Sequence, residues 1–454
     1  MSSKRLFGTN GVRGITNKEL TPDLALGIGK AIGAFFDEGS KLLVGRDIRA
    51  GGDMLARAMT SSLLSSGIDV YYAGILPIPA LQYIIKKDGY SGGVMITASH
   101  NPAEFNGIKV IDSDGVETAS SNEEKIEQHY FNRSFRSVPW QKLNHDVIEV
   151  RGATDAYVEG VLKHVNVDKI RSRKFRVLID GANSVGSITS KAVAERLGCQ
   201  TYEINTNLDP LFPGRQPEPT IVSLAKTAEL AKNLNVDITV AHDGDADRAI
   251  FIDSEGRIQP GDKSGTILSY WAALRDGDKE KVVFTPFSSS DLAEEFLSRH
   301  GIRIERTRIG SIFVSRSLIS KGGISGFEDN GGFIYPKHQY VRDGAMAFAF
   351  MLDFLASHRK TSAQIFDELP VYVSEKIKIP IAGINTEKLF EKIISEYGRE
   401  CRIVDTDNDG LKIAGKGFWF IVRKSGTEPV LRISVEAKEK SILNATLENI
   451  KKLV

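Results

Sequence analysis

The sequence predicts an α/β protein. Three related α/β domains with mixed, largely parallel sheets and a small α+β C-terminal domain are expected around a central cleft. A strand–helix–strand pattern with short loops occurs three times, once every 100–130 residues or about that, the signature of right-handed βαβ units. Each copy gains one further strand that ends in a loop of chemically active side chains. After Pro370 the pattern changes to the alternation of half-exposed antiparallel strands. At 454 residues the chain exceeds one typical core, and the expected domains are 1–150, 151–253, 254–367 and 368–454.

The chain opens with Phe7-Gly8-Thr9-Asn10-Gly11-Val12-Arg13-Gly14, where glycines permit close backbone approach and Arg13 offers a planar fork to phosphate. Taken alone it also reads as a turn with a surface arginine. Thr21-Pro22 starts a helix, with Leu24, Ile28, Ala31, Ile32 and Phe35 at helical spacing. The first unit runs from Lys41-Leu42-Leu43-Val44, through a helix with Met54, Leu55, Ala58 and Met59, to Val70-Tyr71-Tyr72-Ala73. Its further strand, Gly93-Val94-Met95-Ile96, empties into Thr97-Ala98-Ser99-His100-Asn101-Pro102. Ligand chemistry sits beyond the carboxyl ends of such strands, so the Ser99 hydroxyl could act as a nucleophile or carry a phosphoryl group. An isolated Ser-His pair reads equally as an ordinary polar loop.

The second unit runs from Phe175–Asp180, through a helix over Ala192–Leu197, to Gln200–Ile204. Its further strand, Val236–Ala241, leads to His242-Asp243-Gly244-Asp245-Ala246-Asp247-Arg248 and then the strand Ala249-Ile250-Phe251-Ile252. Asp243, Asp245 and Asp247 alternate in a tight turn, so their carboxylates can converge on a hard cation, Mg²⁺ before Ca²⁺. An EF-hand loop also begins in this way, but here Arg248 stands in place of its glycine and Ser254 in place of its last acid. The third unit runs from Lys281-Val282-Val283-Phe284, through a helix near Leu292–Leu297, to Ile302–Glu305. Its further strand, Gly323-Ile324-Ser325, ends in Gly326-Phe327-Glu328-Asp329-Asn330-Gly331-Gly332. Three equivalent strand ends with different groups suggest one cleft assembled from three domains.

In the C-terminal part, strands are expected at Val371–Ile379, Gly410–Ile413, Phe418–Val422 and Leu431–Val435, with a helix through Leu389, Ile393 and Ile394. The loop Arg423-Lys424-Ser425-Gly426-Thr427-Glu428-Pro429 carries a guanidinium, hydroxyls and an exposed glycine amide, groups that can wrap a phosphate. As an isolated string it is a hairpin loop.

Lys and Arg (59) almost cancel Asp and Glu (58), which removes any bulk electrostatic case for nucleic acid or membrane binding. Cys199 and Cys401 fit no metal or redox spacing and suit a reducing compartment. There is no signal peptide and no apolar run long enough for a bilayer, so a cytoplasmic protein is expected.

These loops, in this order and at these distances, resemble the α-D-phosphohexomutase superfamily of phosphoglucomutases, phosphomannomutases and phosphoglucosamine mutases, over essentially the whole chain. The resemblance implies an isomerase that moves a phosphoryl group between O1 and O6 of a hexose. It implies phosphoserine at Ser99, and Mg²⁺ held by Ser99, Asp243, Asp245 and Asp247. It further implies Lys109 as general base, with His100, Arg13 and Arg248 around the transferred group. Substrate contacts would come from Thr307, Gly310, Glu328 and Asn330. The phosphate that is not reacting would be held by Arg423, Ser425, Gly426, Thr427 and Arg432. The four domains would then be, in order, the phosphoserine, metal-binding, sugar-binding and phosphate-binding domains. Hexose 1,6-bisphosphate is the implied intermediate and activator, and sugar phosphates the partners of a monomer or homodimer. A silent sugar-phosphate-binding protein or a phosphatase on the same fold are the alternatives. The sugar loop departs from the bacterial pattern Gly-Glu-x-Ser-Gly-His, with Asn330 for the serine and Gly332 for the histidine, and resembles archaeal-type members, as does Tyr340-Val341-Arg342-Asp343-Gly344. A second departure is Lys424, where proline is usual.

Overall fold

One strand order underlies three of the four sheets. The first contains β1 (Val12–Ile15), β2 (Lys41–Arg46), β3 (Asp69–Ile75), β4 (Gly92–Ile96), β5 (Phe105–Asp112) and β6 (Ile148–Glu149) in the order β1-β5-β4-β2-β3-β6. The second contains β7 (Arg176–Asp180), β8 (Gln200–Ile204), β9 (Ile238–His242), β10 (Ala249–Ile252) and β11 (Ile258–Gln259) in the order β11-β10-β9-β7-β8. The third contains β12 (Val282–Pro286), β13 (Arg303–Thr307), β14 (Ser325–Phe327) and β15 (Phe333–Ile334) in the order β13-β12-β14-β15. In each, the opening strand of the unit lies between two parallel neighbours, and the further strand also pairs with an antiparallel one. The computed structural model describes residues 5–8, 11–143, 146–275, 280–406, 409–425 and 430–454.

The local signals act as expected. Thr21 caps the helix Pro22–Phe35 by accepting the Leu24 N–H at 3.3 Å. β4 is buried along its whole length, which is why it reads as a continuous apolar run. In the third sheet the strand falls two residues later than expected, at Ser325–Phe327, with Phe327 buried in the core. The reactive loop therefore begins at Glu328.

The core joins the three units. One cluster runs from Leu43 and Met95 through Ile179 and Phe251 to Phe284's neighbour Val283 and to Phe327. Through it passes the helix Gly344–Ser357, buried at every residue from Gly344 to Ala356. It packs on the helices Gly186–Arg196, Val167–Arg173 and Gly261–Arg275, fastening the second and third units together. Asp343 caps it, accepting the Met346 N–H at 2.9 Å.

The fourth sheet is antiparallel and has its own core: β16 (Val373–Pro380), β17 (Arg402–Val404), β18 (Leu411–Gly415), β19 (Phe418–Lys424) and β20 (Val430–Ala437), in the order β16-β20-β19-β18-β17. Buried Glu436 accepts the Trp419 indole N–H within this domain and the Asp291 N–H of the third, both at 2.8 Å. Lys412 donates to the Phe287 carbonyl at 2.8 Å. Among the described residues no helix is long and apolar enough to cross a membrane.

Candidate active site

Ser99 lies on the floor of the site, where β4 ends, 1% exposed and with φ +52°. A non-glycine residue in the left-handed region is held there by its surroundings. Its N–H donates to Thr97 Oγ1 at 2.9 Å, and Thr97 in turn donates to Asp47. The buried Arg49 guanidinium donates to the carbonyls of Ser99, Asn101, Pro102 and Phe105 at 2.5–2.9 Å. Arg49 also pairs with Asp47 at 3.2 Å. It lies over the Phe212 ring of the second unit, 5.0 Å from the centroid.

The aspartate loop meets this floor directly. A Cβ added at Gly244 would collide with the Ser99 carbonyl oxygen, so the close approach of the two loops requires glycine there. Ser99 Oγ donates to Asp243 Oδ2 at 2.8 Å. Asp243, Asp245 and Asp247 are buried, and one oxygen of each lies within 4.8 Å of the others. Burial, with Asp247 and Asp245 alongside, pushes Asp243 up to about 8. Asp245 moves the opposite way: burial would raise it, but Lys109 and Arg342 together hold it below the ordinary carboxylate range. Asp245 Oδ1 and Asp247 Oδ1 are buried and have no hydrogen-bond partner among the described residues. Unpartnered buried oxygens on two of three converging carboxylates fit a hard divalent cation.

The expected cations surround these carboxylates. Lys109 Nζ donates to Asp245 Oδ2 at 2.9 Å. Arg248 Nε stands 3.9 Å from Asp243 and 3.8 Å from Asp247, and its Nη2 donates to His100 Nδ1 at 3.0 Å. Arg248, then burial, then Arg13 hold His100 far below its ordinary value, so its ring is neutral. Arg13, on β1, donates to Asn101 Oδ1 at 2.5 Å. Burial, together with Arg248 and Arg49, brings Arg13 down to about 10, which leaves it charged at neutral pH.

The remaining expected residues stand farther along the cleft. Glu328 joins the aspartate loop through Arg342, which donates to Glu328 Oε2 at 2.9 Å and also to Asp247. Asn330 Oδ1 accepts the Gly332 N–H at 3.0 Å. Thr307 donates to the Arg308 carbonyl at 2.9 Å, and Gly310 precedes the helix Ser311–Lys321. A cavity of about 270 Å³ is lined by Lys109, Arg308, Asp409 and Arg423 among others, and so connects the first, third and fourth domains. Arg423 and Lys424 belong to β19 rather than to a loop, with Arg423 opposite Arg432. Ladder pairing continues two residues past the last apolar position, and this corrects the expected loop boundary. The Ser425 N–H donates to the Val430 carbonyl at 2.9 Å, while Gly426 and Thr427 lie outside the described residues. Asp409 accepts the Ile309 N–H and stands 3.8 Å from Arg423.

Glu123 lines the same cavity, and burial pushes it up to about 7. A raised carboxyl contributes stability below its unfolded value of 4.5 and loses it as pH climbs through about 7. Glu123→Gln should therefore gain about 2–3 kcal/mol relative to the parent between pH 5 and pH 8, read from urea midpoints across that range. A stability difference flat with pH would contradict this.

Asp47, Arg49 and Arg342 were not among the residues expected from sequence. For Asp47 and Arg49 the signal was their place at the end of β2, the opening strand of a unit. Arg342 stood in the stretch noted beside the sugar loop.

Comparison with known proteins covers almost the whole chain. Four models of phosphoglucomutase/phosphomannomutase match: alpha/beta/alpha domain I at residues 4–137, domain II at 155–256, domain III at 260–372, and the C-terminal domain at 377–453. A phosphoglucosamine/phosphogalactosamine mutase of Sulfurisphaera tokodaii is 52% identical over 451 residues, covering 99% of both chains. A phosphoglucomutase/phosphomannomutase of Thermococcus kodakarensis is 38% identical, covering 98% of this chain and 97% of its own. A crystal structure of a phosphoglucomutase/phosphomannomutase family protein from Burkholderia thailandensis shares the fold, with a TM-score of 0.87 at 22% identity, over 100% of this chain and 97% of that one.

Proposed function

Because this chain belongs to the phosphoglucomutase/phosphomannomutase family and is a hexose-phosphate mutase, we propose that glucosamine phosphate is its preferred substrate and Ser99 its phosphoryl carrier. The observation that carries the proposal is the Ser99 hydroxyl, buried 2.8 Å from Asp243 with Arg13, Arg248 and Lys109 around the same carboxylates. The relative at 52% identity supports the amino sugar.

In this reading phospho-Ser99 gives its phosphoryl group to the free hydroxyl of a hexose phosphate. The sugar oxygen bonds to phosphorus, the bond from phosphorus to Ser99 Oγ breaks, and the hydroxyl proton leaves to a base. The product is a hexose 1,6-bisphosphate, which turns within the cleft and returns its other phosphate to Ser99. Positioning and charge supply most of the catalysis in such transfers. Arg13 and Arg248 offer guanidinium forks to the phosphoryl oxygens. Lys109 serves as the base, and for that it must part from Asp245 and release a proton. Asp243, Asp245 and Asp247 would hold Mg²⁺, which when bound supplies Lewis-acid charge beside the phosphoryl group. Glu328 and Asn330 read the sugar hydroxyls or amine, with Thr307 and Gly310 beside them. Initial rates with glucosamine, glucose and mannose 1-phosphates, each with a trace of its 1,6-bisphosphate, test the preference. The largest kcat/KM should belong to glucosamine 1-phosphate, and a larger value for glucose or mannose would reverse it.

Arg423 and Arg432 anchor the phosphate that is not reacting, together with Ser425, Gly426 and Thr427. Arg423 lines the same cavity as Lys109 and stands 3.8 Å from Asp409. A charge-assisted bond to phosphate is worth about 1.5–3 kcal/mol, so Arg423→Ala should lower kcat/KM by roughly 10- to 200-fold. Ser99 phosphorylation and Mg²⁺ affinity should remain, because both belong to other domains. An unchanged kcat/KM would make Arg423 structural.

A further inference from the structure

Arg342 joins two loops that the sequence separates. It is 5% exposed, and its guanidinium donates one N–H to Glu328 Oε2 at 2.9 Å and another to Asp247 Oδ2. One oxygen of each carboxylate is thereby fixed, and the other makes no bond to Arg342. The stem of the side chain runs directly across Gly332. A Cβ built there would collide with Arg342 Cδ and stand 2.9 Å from Cγ, so position 332 has room only for glycine. The sugar loop is wrapped around this stem: the Glu328 N–H donates to the Gly332 carbonyl at 2.8 Å, and the Gly332 N–H donates to Asn330 Oδ1 at 3.0 Å. The same loop is bonded to the exit of the aspartate loop, where the Ala249 N–H donates to the Gly331 carbonyl at 3.0 Å.

We infer that Arg342 is a positioning residue that sets Glu328 and Asp247 together, so that sugar discrimination and cation binding depend on one guanidinium threaded over Gly332. The inference rests on the reading of Glu328 as the sugar-binding carboxylate and of Asp247 as a cation ligand. Only a planar fork can serve two carboxylates at once in fixed directions, and an ammonium on a flexible stem cannot.

Arg342→Lys tests this because it keeps the charge and removes the fork. Two quantities are read on the full-length protein: the ratio of kcat/KM for glucosamine 1-phosphate over mannose 1-phosphate, and the Mg²⁺ dissociation constant by calorimetry without substrate. The ratio should fall by about tenfold, and the dissociation constant should rise by about tenfold, the usual effect of releasing a group that orients a metal ligand. Gly332→Ala, which displaces the stem without touching any charge, should move both quantities in the same direction, and it serves if Arg342→Lys does not fold. Either quantity left at the parent value in both variants overturns the inference, since a purely structural role would slow both sugars alike. The parent is measured alongside. If it turns over none of the sugar phosphates, the functional reading itself fails, whereas an active parent with unmoved variants removes only the role of Arg342.

Discussion

Ser99→Ala should lower mutase turnover at least about a thousandfold while the protein stays folded. In the proposed mechanism the hydroxyl is the atom on which the transferred group is carried, and its neighbours are otherwise engaged. His100 is neutral and accepts from Arg248, Asp243 is the acceptor of the Ser99 hydrogen bond, and Lys109 is tied to Asp245. The structural loss is small, one hydrogen bond of about 1 kcal/mol. The left-handed turn is held by the Ser99 N–H and carbonyl, and alanine keeps both. Intact mass should show the phosphorylated species in the parent and none in the variant. Parental turnover in Ser99→Ala would remove serine from the mechanism.

Asp243→Asn separates stability from activity. In the metal-free protein burial and its two aspartate neighbours push Asp243 up to about 8, so its ionised form is disfavoured. Stability from this group is present below its unfolded value of 3.8 and is lost as pH rises through about 8. A neutral amide relieves the repulsion and can still accept from Ser99. The variant should therefore melt no lower than the parent in EDTA at pH 8. Turnover should nevertheless fall at least about a hundredfold, and the rise in melting temperature on adding Mg²⁺ should vanish, because one hard anionic ligand is gone. EDTA alone should silence the parent, with recovery on Mg²⁺. A variant that melts lower than the parent in EDTA, or that still responds to Mg²⁺, would show that the three aspartates are not one cation site.

The parts of the site carried by local chemistry were legible in the sequence. The Ser99 loop follows an apolar strand that stops at turn formers, and Asp243, Asp245 and Asp247 alternate in one glycine turn. Both signals survive because they need no partner from elsewhere in the chain. Arg49 was not legible, since its partners are mostly backbone carbonyls, which no sequence displays. Arg342 was hidden differently, because it meets Asp247 from 95 residues away. The helix Gly344–Ser357 escaped because, Asp353 apart, it is apolar all round, and a fully buried helix has no amphipathic period to detect. The two-residue displacement of β14 has a similar origin: Gly323 precedes it, Gly326 lies within it, and neither marks a face.

The central claim is that Ser99 passes its phosphoryl group to the sugar and not to water. Phosphorylated protein, cleared of free sugar phosphates, is mixed with one equivalent of glucosamine 1-phosphate in Mg²⁺ and quenched within the first turnover. Ser99 should lose its phosphate by intact mass as glucosamine 1,6-bisphosphate appears and regain one as glucosamine 6-phosphate forms, with no inorganic phosphate released. Inorganic phosphate in place of sugar bisphosphate, or glucosamine 6-phosphate that carries none of a phosphorus label placed beforehand on Ser99, would contradict it.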